Sequence, residues 1–302
     1  MNTKKSRKKY VVAVLDTETT MMNKTPKLIG HFGAVIGDLT NDCNSDWFEM
    51  DYYVKEIVEN PKFWLGRESD KRRDLRDSEG RSCGENHLWL DSRYTNLLAE
   101  CFEYPFKVKS WEWIINEFNR NLRNLGVDAV TAYNLQFDLG VKGTKGAIRK
   151  TSDQLSDLAY YLPRGVDYFC LMDWCVSKLV TRNWFAYLKR LSPDELNQFQ
   201  TEKGNNSYSA ECMLRYQSQE PFYTEQHTAL RDARMEMQLC KHMYAKYGGS
   251  LTHFINDVHQ FSWTVMRDEK TSKQKMIDRV AKPRKTKKKE IENTSKQATF
   301  DF

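Results

Sequence analysis

Tyr10–Thr20 reads YVVAVLDTETT, and the fold follows from what this stretch demands. Val11 to Leu15 is a run of five apolar residues, rich in β-branched side chains that suit a covered, pleated strand. The run leads directly into Asp16-Thr17-Glu18. Residues two apart on a strand share a face, so both carboxylates leave the strand end side by side. Two negative charges that close repel unless a cation lies between them. Hard oxygen ligands of this kind suit Mg²⁺ or Mn²⁺.

The remaining composition narrows the class of protein. A chain of 302 residues holds one large domain with an appendage or two small ones, and 40% hydrophobic residues supply a core. No apolar run approaches the ~18 residues of a membrane span, so no membrane partner is expected. The basic start, MNTKKSRKKY, lacks the apolar segment and cleavage site of a signal peptide. Seven scattered cysteines without a C-x-x-C pair point to reduced thiols in a cytoplasmic setting and argue against zinc. Charge is divided unevenly: +5 on residues 1–10, +7 on 266–290 and −1 on 291–302, which leaves −5 on 11–265. An acidic body between basic tails suits a polyanionic partner, while tails that serve solubility alone would look the same.

Organisation follows from periodicity. Leu28–Leu39 and Trp47–Val54 read as two further strands, joined through polar turns at Asn23–Lys27 and Thr40–Ser45. Residues 56–107 break the pattern and read as an insertion with a helix over Asp91–Phe102, either a substrate clamp or a solvated excursion. Trp111, Ile114, Ile115, Phe118, Leu122 and Leu125 recur at helical spacing before Gly126. Asp128–Tyr133 and Val166–Asp173 read as strands, and Trp174–Leu188 as one helix. Ser192-Pro193-Asp194-Glu195 starts another helix with a capping box. Helices follow over Ser207–Tyr216, from Ala229 to Gly248-Gly249, and over Leu251–Val265. The expected fold class is α/β, a mixed five-stranded sheet flanked by helices. The expected domains are a basic arm at 1–9, a catalytic body at 10–265 and a basic linker at 266–302 too poor in apolar residues to fold.

Two further stretches complete the acidic pair. Ala132–Asp138 reads AYNLQFD just after a strand, which can bring Asp138 near Asp16 and Glu18; alone, it also reads as a turn with a capping Asn134. Glu225–Ala233 reads EQHTALRDA. Five helical positions span ~140° of rotation, so His227 and Asp232 converge if His227 lies on the loop entering the helix. Asp232 falls on a row with Met235, Leu239 and Met243, so its carboxylate leans towards the core and needs a cation or a hydrogen-bonding partner. Asp77-Ser78-Glu79 has the spacing of the first motif but follows no buried strand, and reads as inert.

LDTET, AYNLQFD and HTALRD, in that order over about residues 10–247, resemble the motifs of the DEDDh family of 3′→5′ exonucleases. This is the DnaQ-like branch of the ribonuclease-H-like fold, which includes polymerase proofreading subunits, ribonuclease T and oligoribonuclease. The resemblance implies two divalent cations, Mg²⁺ or Mn²⁺, held by Asp16, Glu18, Asp138 and Asp232. It implies His227 as the general base for the attacking water, and imidazole titrates near pH ~6.5 when unperturbed. The products would be nucleoside 5′-monophosphates taken from a 3′ end. Thr17, Thr19, Thr20, Asn134 and Phe137 would meet the terminal nucleotide. Two departures stand out: Met21 where the family often has Gly, and Gly140, Gly143 and Gly146 where it continues a helix. The glycines imply that Asp138 sits on a mobile segment ordered by metal or substrate.

The terminal KQATFDF is similar to the short peptides that hold a sliding clamp, with Gln297, Phe300 and Phe302 matching and the aliphatic position missing. An end with two stray aromatics is the plainer reading. KPRKTKKKE would serve as a nuclear-import signal in a eukaryotic host. The expected activity is therefore DNA 3′→5′ exonucleolysis in replication proofreading or repair, on single-stranded DNA by preference, with a clamp or polymerase as partner. RNA trimming by the same chemistry and a non-catalytic nucleic-acid-binding accessory role are the alternatives.

Overall fold

The computed structural model describes residues 9–19, 28–41, 46–60, 65–67, 88–90, 92–140, 146–158, 165–201, 203–224 and 227–257. Strands β1 (Val11–Thr19), β2 (Ile29–Asp38) and β3 (Phe48–Val54) form an antiparallel meander. Helix α1 (Lys55–Val58) leaves β3, and β4 (Leu65–Arg67) pairs antiparallel with β5 (Leu88–Leu90) in a separate two-stranded sheet. Helix α2 (Ser92–Glu103) and a 3₁₀ turn at Pro105–Lys107 return the chain to β6 (Val108–Lys109). After α3 (Trp111–Asn124) comes β7 (Ala129–Ala132), then α4 (Leu135–Asp138) and α5 (Ala147–Leu155). Strand β8 (Asp167–Cys170) leads into α6 (Leu171–Leu179), α7 (Arg182–Leu188), α8 (Pro193–Asn197) and α9 (Ala210–Ser218). The described chain ends with α10 (Ala229–Tyr247) and α11 (Leu251–Asp257).

The main sheet has the order β6-β3-β2-β1-β7-β8, with β7 parallel to β1, β8 parallel to β7 and β6 parallel to β3. This is the expected α/β arrangement, a mixed sheet flanked by helices, with β1 near the centre. The sheet has six strands rather than the expected five. The extra one, β6, is two residues at the edge, too short to show a strand's alternation in sequence.

Strand alternation divides the layers. Phe32 on β2 packs edge-on to Trp111 and Phe118 of α3, while α10 lies across β1 and β2 on the opposite face. Two helices start at the capping residues that the sequence supplies. The Ser110 hydroxyl accepts from the Trp113 amide at the head of α3, and Ser192 and Glu195 close a capping box on α8. The expected single helix over 174–188 is two helices. It begins at Leu171, directly after β8, and breaks at β-branched Val180 and Thr181, where Val180 has ψ 75°. The helix expected from Ser207 begins at Ala210, capped by the Ser209 hydroxyl. All five cysteines among the described residues are unpaired and buried. Among the described residues no helix is long and apolar enough to cross a membrane.

A candidate metal centre at the strand ends

Strands β1 and β7 run in the same direction, so their carboxyl ends open on one edge of the sheet, the usual place for a ligand crevice in such folds. Asp16 and Glu18 lie on the face that α10 covers, because Asp16 pairs in register with Gly33 and Glu18 with His31. Gly33 is where α10 touches down. A Cβ there would lie 2.2 Å from the carbonyl carbon of Ala229 and 2.3 Å from the amide of Leu230. No side chain fits between the strand and the first turn of the helix. The closeness of that first turn lets Asp232, one turn in, reach the end of β1.

Asp16, Glu18 and Asp232 each offer a carboxylate oxygen, and these oxygens lie within 4.8 Å of one another. Oxygen ligands bind a divalent ion at ~2.0–2.6 Å, so three oxygens this close can surround one. Burial drives the Asp16 carboxyl well above its ordinary range. The charges of Glu236, Asp138, Glu18 and Asp232 add to the effect. A bound cation relieves that repulsion, so the donor set fits a hard divalent metal.

Asp138 comes from the other layer. It ends the four-residue α4 after β7, 3% exposed, and the Thr17 hydroxyl donates to its Oδ1 at 2.6 Å. Burial pushes the Asp138 carboxyl up to about 7, against the opposing Thr17 hydrogen bond, and the Glu18 charge adds to the rise. Gly140 has φ +92°, and a Cβ on Gly146 would fall 2.2 Å from the Gly140 amide nitrogen and 2.6 Å from the Asp138 carbonyl oxygen. These glycines read from sequence as helix breakers that free Asp138. In the fold Gly140 and Gly146 let the head of α5 come close to the backbone that carries it.

His227 lies two residues before α10, on the entering loop, exposed, with φ +50°. A left-handed conformation is uncommon for a non-glycine residue and marks a sharp change in chain direction. Upstream, buried Arg215 fixes the path into this loop. Its Nε donates to the Tyr223 carbonyl at 2.8 Å, a second guanidinium nitrogen donates to the Gln198 carbonyl, and a third pairs with Glu211 at 2.9 Å. Trp184, Phe199 and Tyr216 form the aromatic core beneath.

Of the residues expected to meet substrate, the described ones lie on β1 and at α4, the elements that carry Asp16, Glu18 and Asp138. Thr17 is buried with its hydroxyl committed to Asp138, and Thr19 is half-buried. Asn134 is exposed and its side chain caps nothing on α4, while Phe137 is 37% exposed beside Asp138. Thr20, Met21, Gly143, Asp77 and Glu79 lie outside the described residues. So do Gln297, Phe300, Phe302 and the whole 258–302 tail.

Sequence reasoning missed Glu236. It is buried at 4% exposure one helical turn beyond Asp232, and its Oε2 accepts from the Tyr133 amide at 3.0 Å. Its i+4 spacing from Asp232 was the available signal.

No protein-family model matches the sequence, and no curated protein matches it. Solved structures with a similar chain path include the nuclease domain of 3′hExo, a DEDDh family member bound to rAMP. That likeness covers 80% of this chain and 94% of that one, at 10% identity and a TM-score of 0.47. A full-length 3′-exonuclease matches over 78% of this chain and 82% of its own, at 10% identity and a TM-score of 0.46. Cell-death related nuclease 4 matches over 78% of this chain and 64% of its own, at 14% identity and a TM-score of 0.42. At such identities the likeness is one of chain path, and the chemistry has to be argued from this chain's own side chains.

Proposed function

We propose that this chain is a metal-dependent 3′→5′ exonuclease of the DEDDh type, acting on DNA. The observation that supports it is the convergence of Asp16, Glu18 and Asp232 within 4.8 Å at the end of the central strand. Asp138 accepts from the Thr17 hydroxyl between those two strand acids, and His227 lies two residues before the helix that carries Asp232. Asp16, Glu18 and Asp232 would hold one divalent cation, and Asp138 would complete the shell of a second. Bound there, Mg²⁺ or Mn²⁺ would supply charge stabilisation for the attacking and leaving oxygens of an in-line displacement at phosphorus. His227, exposed on the loop before α10, would take the proton from the attacking water. Thr17 keeps Asp138 turned inward, and Phe137 offers an apolar surface for the terminal base or sugar. DNA rather than RNA is favoured by the basic tails and the clamp-like KQATFDF end, which would raise the local concentration of the catalytic body on its template.

The test pairs matched single-stranded DNA and RNA oligonucleotides, labelled at either end, with the full chain and Mg²⁺ or Mn²⁺. Release of nucleoside 5′-monophosphates from the 3′ end of DNA is expected. Degradation of RNA alone would replace the DNA reading with RNA trimming, and inertness on both would leave a nucleic-acid-binding accessory protein. Deleting 297–302 should abolish co-elution with a sliding clamp while sparing short oligonucleotide cleavage; undiminished co-elution refutes the clamp reading.

A further inference from the structure

Glu236 is a carboxylate in the interior of the longest helix, almost shut off from water, with no place in the three sequence motifs. A buried acid needs a partner that repays its desolvation. One partner is the backbone amide of Tyr133, 3.0 Å from Oε2. Tyr133 is the residue at which β7 leaves the sheet. The parallel ladder to β1 ends at Thr131, and that to β8 ends at Ala132 and Cys170. Beyond this point the strand's amides have no neighbouring strand to donate to. The Tyr133 carbonyl accepts in turn from the Met172 amide at 2.9 Å, and its hydroxyl donates to the Tyr208 carbonyl. The peptide units on both sides of Tyr133 are thus fastened, five residues before Asp138.

We propose that Glu236 is a positioning residue of the carboxylate centre: by holding the Tyr133 amide, it ties the strand exit that leads to Asp138 to the helix that carries Asp232. The inference rests on the metal-dependent reading above. Asp232 and Glu236 are successive turns of one rigid helix, so the bond sets how far the second motif stands from the third. The role of Glu236 is exerted through reach, not through charge.

That claim separates two small substitutions. Glu236→Gln keeps the length and an acceptor oxygen but loses the charge. Glu236→Asp keeps the charge but is one methylene too short to meet the amide. Mn²⁺ affinity is measured by calorimetry on the full chain for both variants, for the wild type and for Asp16→Ala, with a melting temperature for each. Loss of an outer partner weakens metal binding by about 10–100-fold, so that loss is expected for Glu236→Asp, with Glu236→Gln within about threefold of wild type. Wild-type affinity in Glu236→Asp overturns the inference, as does equal weakness or loss of folding in Glu236→Gln. Unchanged affinity in Asp16→Ala overturns the metal reading itself. Loss there with both Glu236 variants intact overturns the positioning role alone.

Discussion

Replacing Gly33 by alanine probes how Asp232 reaches the site. The added Cβ would stand 2.2 Å from the Ala229 carbonyl carbon and 2.3 Å from both the Ala229 oxygen and the Leu230 nitrogen. All three are backbone atoms of the first turn of α10, so no side chain can swing aside. Ordinary contact begins at 3.4 Å, so strand and helix must part by about 1.2 Å. Overpacking of this sort costs ~1–3 kcal/mol, and Asp232 moves with its helix. A misplacement of ~1 Å can cost about 100-fold in rate. Nucleotide release from a 3′-labelled oligonucleotide at saturating Mn²⁺ should fall by about that factor, with a melting temperature several degrees lower. Gly30→Ala on the same strand is the control. Its Cβ would meet Ile57 at 3.6 Å and the Glu18 carbonyl at 3.8 Å, both ordinary contacts. Equal rates in the two variants would refute the argument that close approach at Gly33 delivers Asp232.

Four further outcomes follow from the site's electrostatics and backbone. Asp16→Ala removes a carboxyl held in a repulsive, buried setting, so the metal-free variant should melt above the wild type while Mn²⁺ no longer shifts its melting temperature. A lower metal-free melting temperature would contradict this. His227→Ala should slow release by about 10²–10⁴-fold. His227→Gly should melt higher than His227→Ala, because φ +50° costs a side-chain-bearing residue ~1–2 kcal/mol. Asp138 titrates near 7 in the folded protein against 3.8 in the unfolded chain, so the folded state binds the proton more tightly. Stability of the metal-free protein is therefore full below pH 4 as far as this group is concerned and is lost as pH rises towards 7. Thermal melts without metal should decline over that window, and Mn²⁺ should restore more at pH 8 than at pH 5. A flat metal-free profile would show that Asp138 is not held this way.

Much of this was legible in one dimension because the decisive features are local. A run of β-branched residues ending in two acids announces its strand, and the row from Asp232 through Met235, Leu239 and Met243 announces a buried face, which the structure shows. Features that depend on another layer were not legible. Gly33 sits in IGHFGAVIG as one of three strand glycines, and its neighbour, Ala229, is almost two hundred residues away. The glycines after Asp138 carried a helix penalty in the sequence but no sign of α5 lying against them. Val180-Thr181 did not reveal the break between α6 and α7, since β-branched residues are tolerated within helices. Glu236 carries no local mark of burial, because its partner, the Tyr133 amide, is about a hundred residues away in the chain.

The pairing of β6 with β3 has a consequence for chain entropy. Tyr53 meets Val108 and Val54 meets Lys109, so the insertion leaves and re-enters the sheet on adjacent strands. The Tyr53 hydroxyl donates to Glu100 of α2, and Lys107 pairs with Asp51 at 2.6 Å, drawing both ends to one spot. The register of β1, β2 and β3 is thus independent of what lies between those ends. Each doubling of such a closed segment costs only ~0.6 kcal/mol. Lengthening, shortening or exchanging this segment therefore leaves Asp16 and Glu18 in their place on β1.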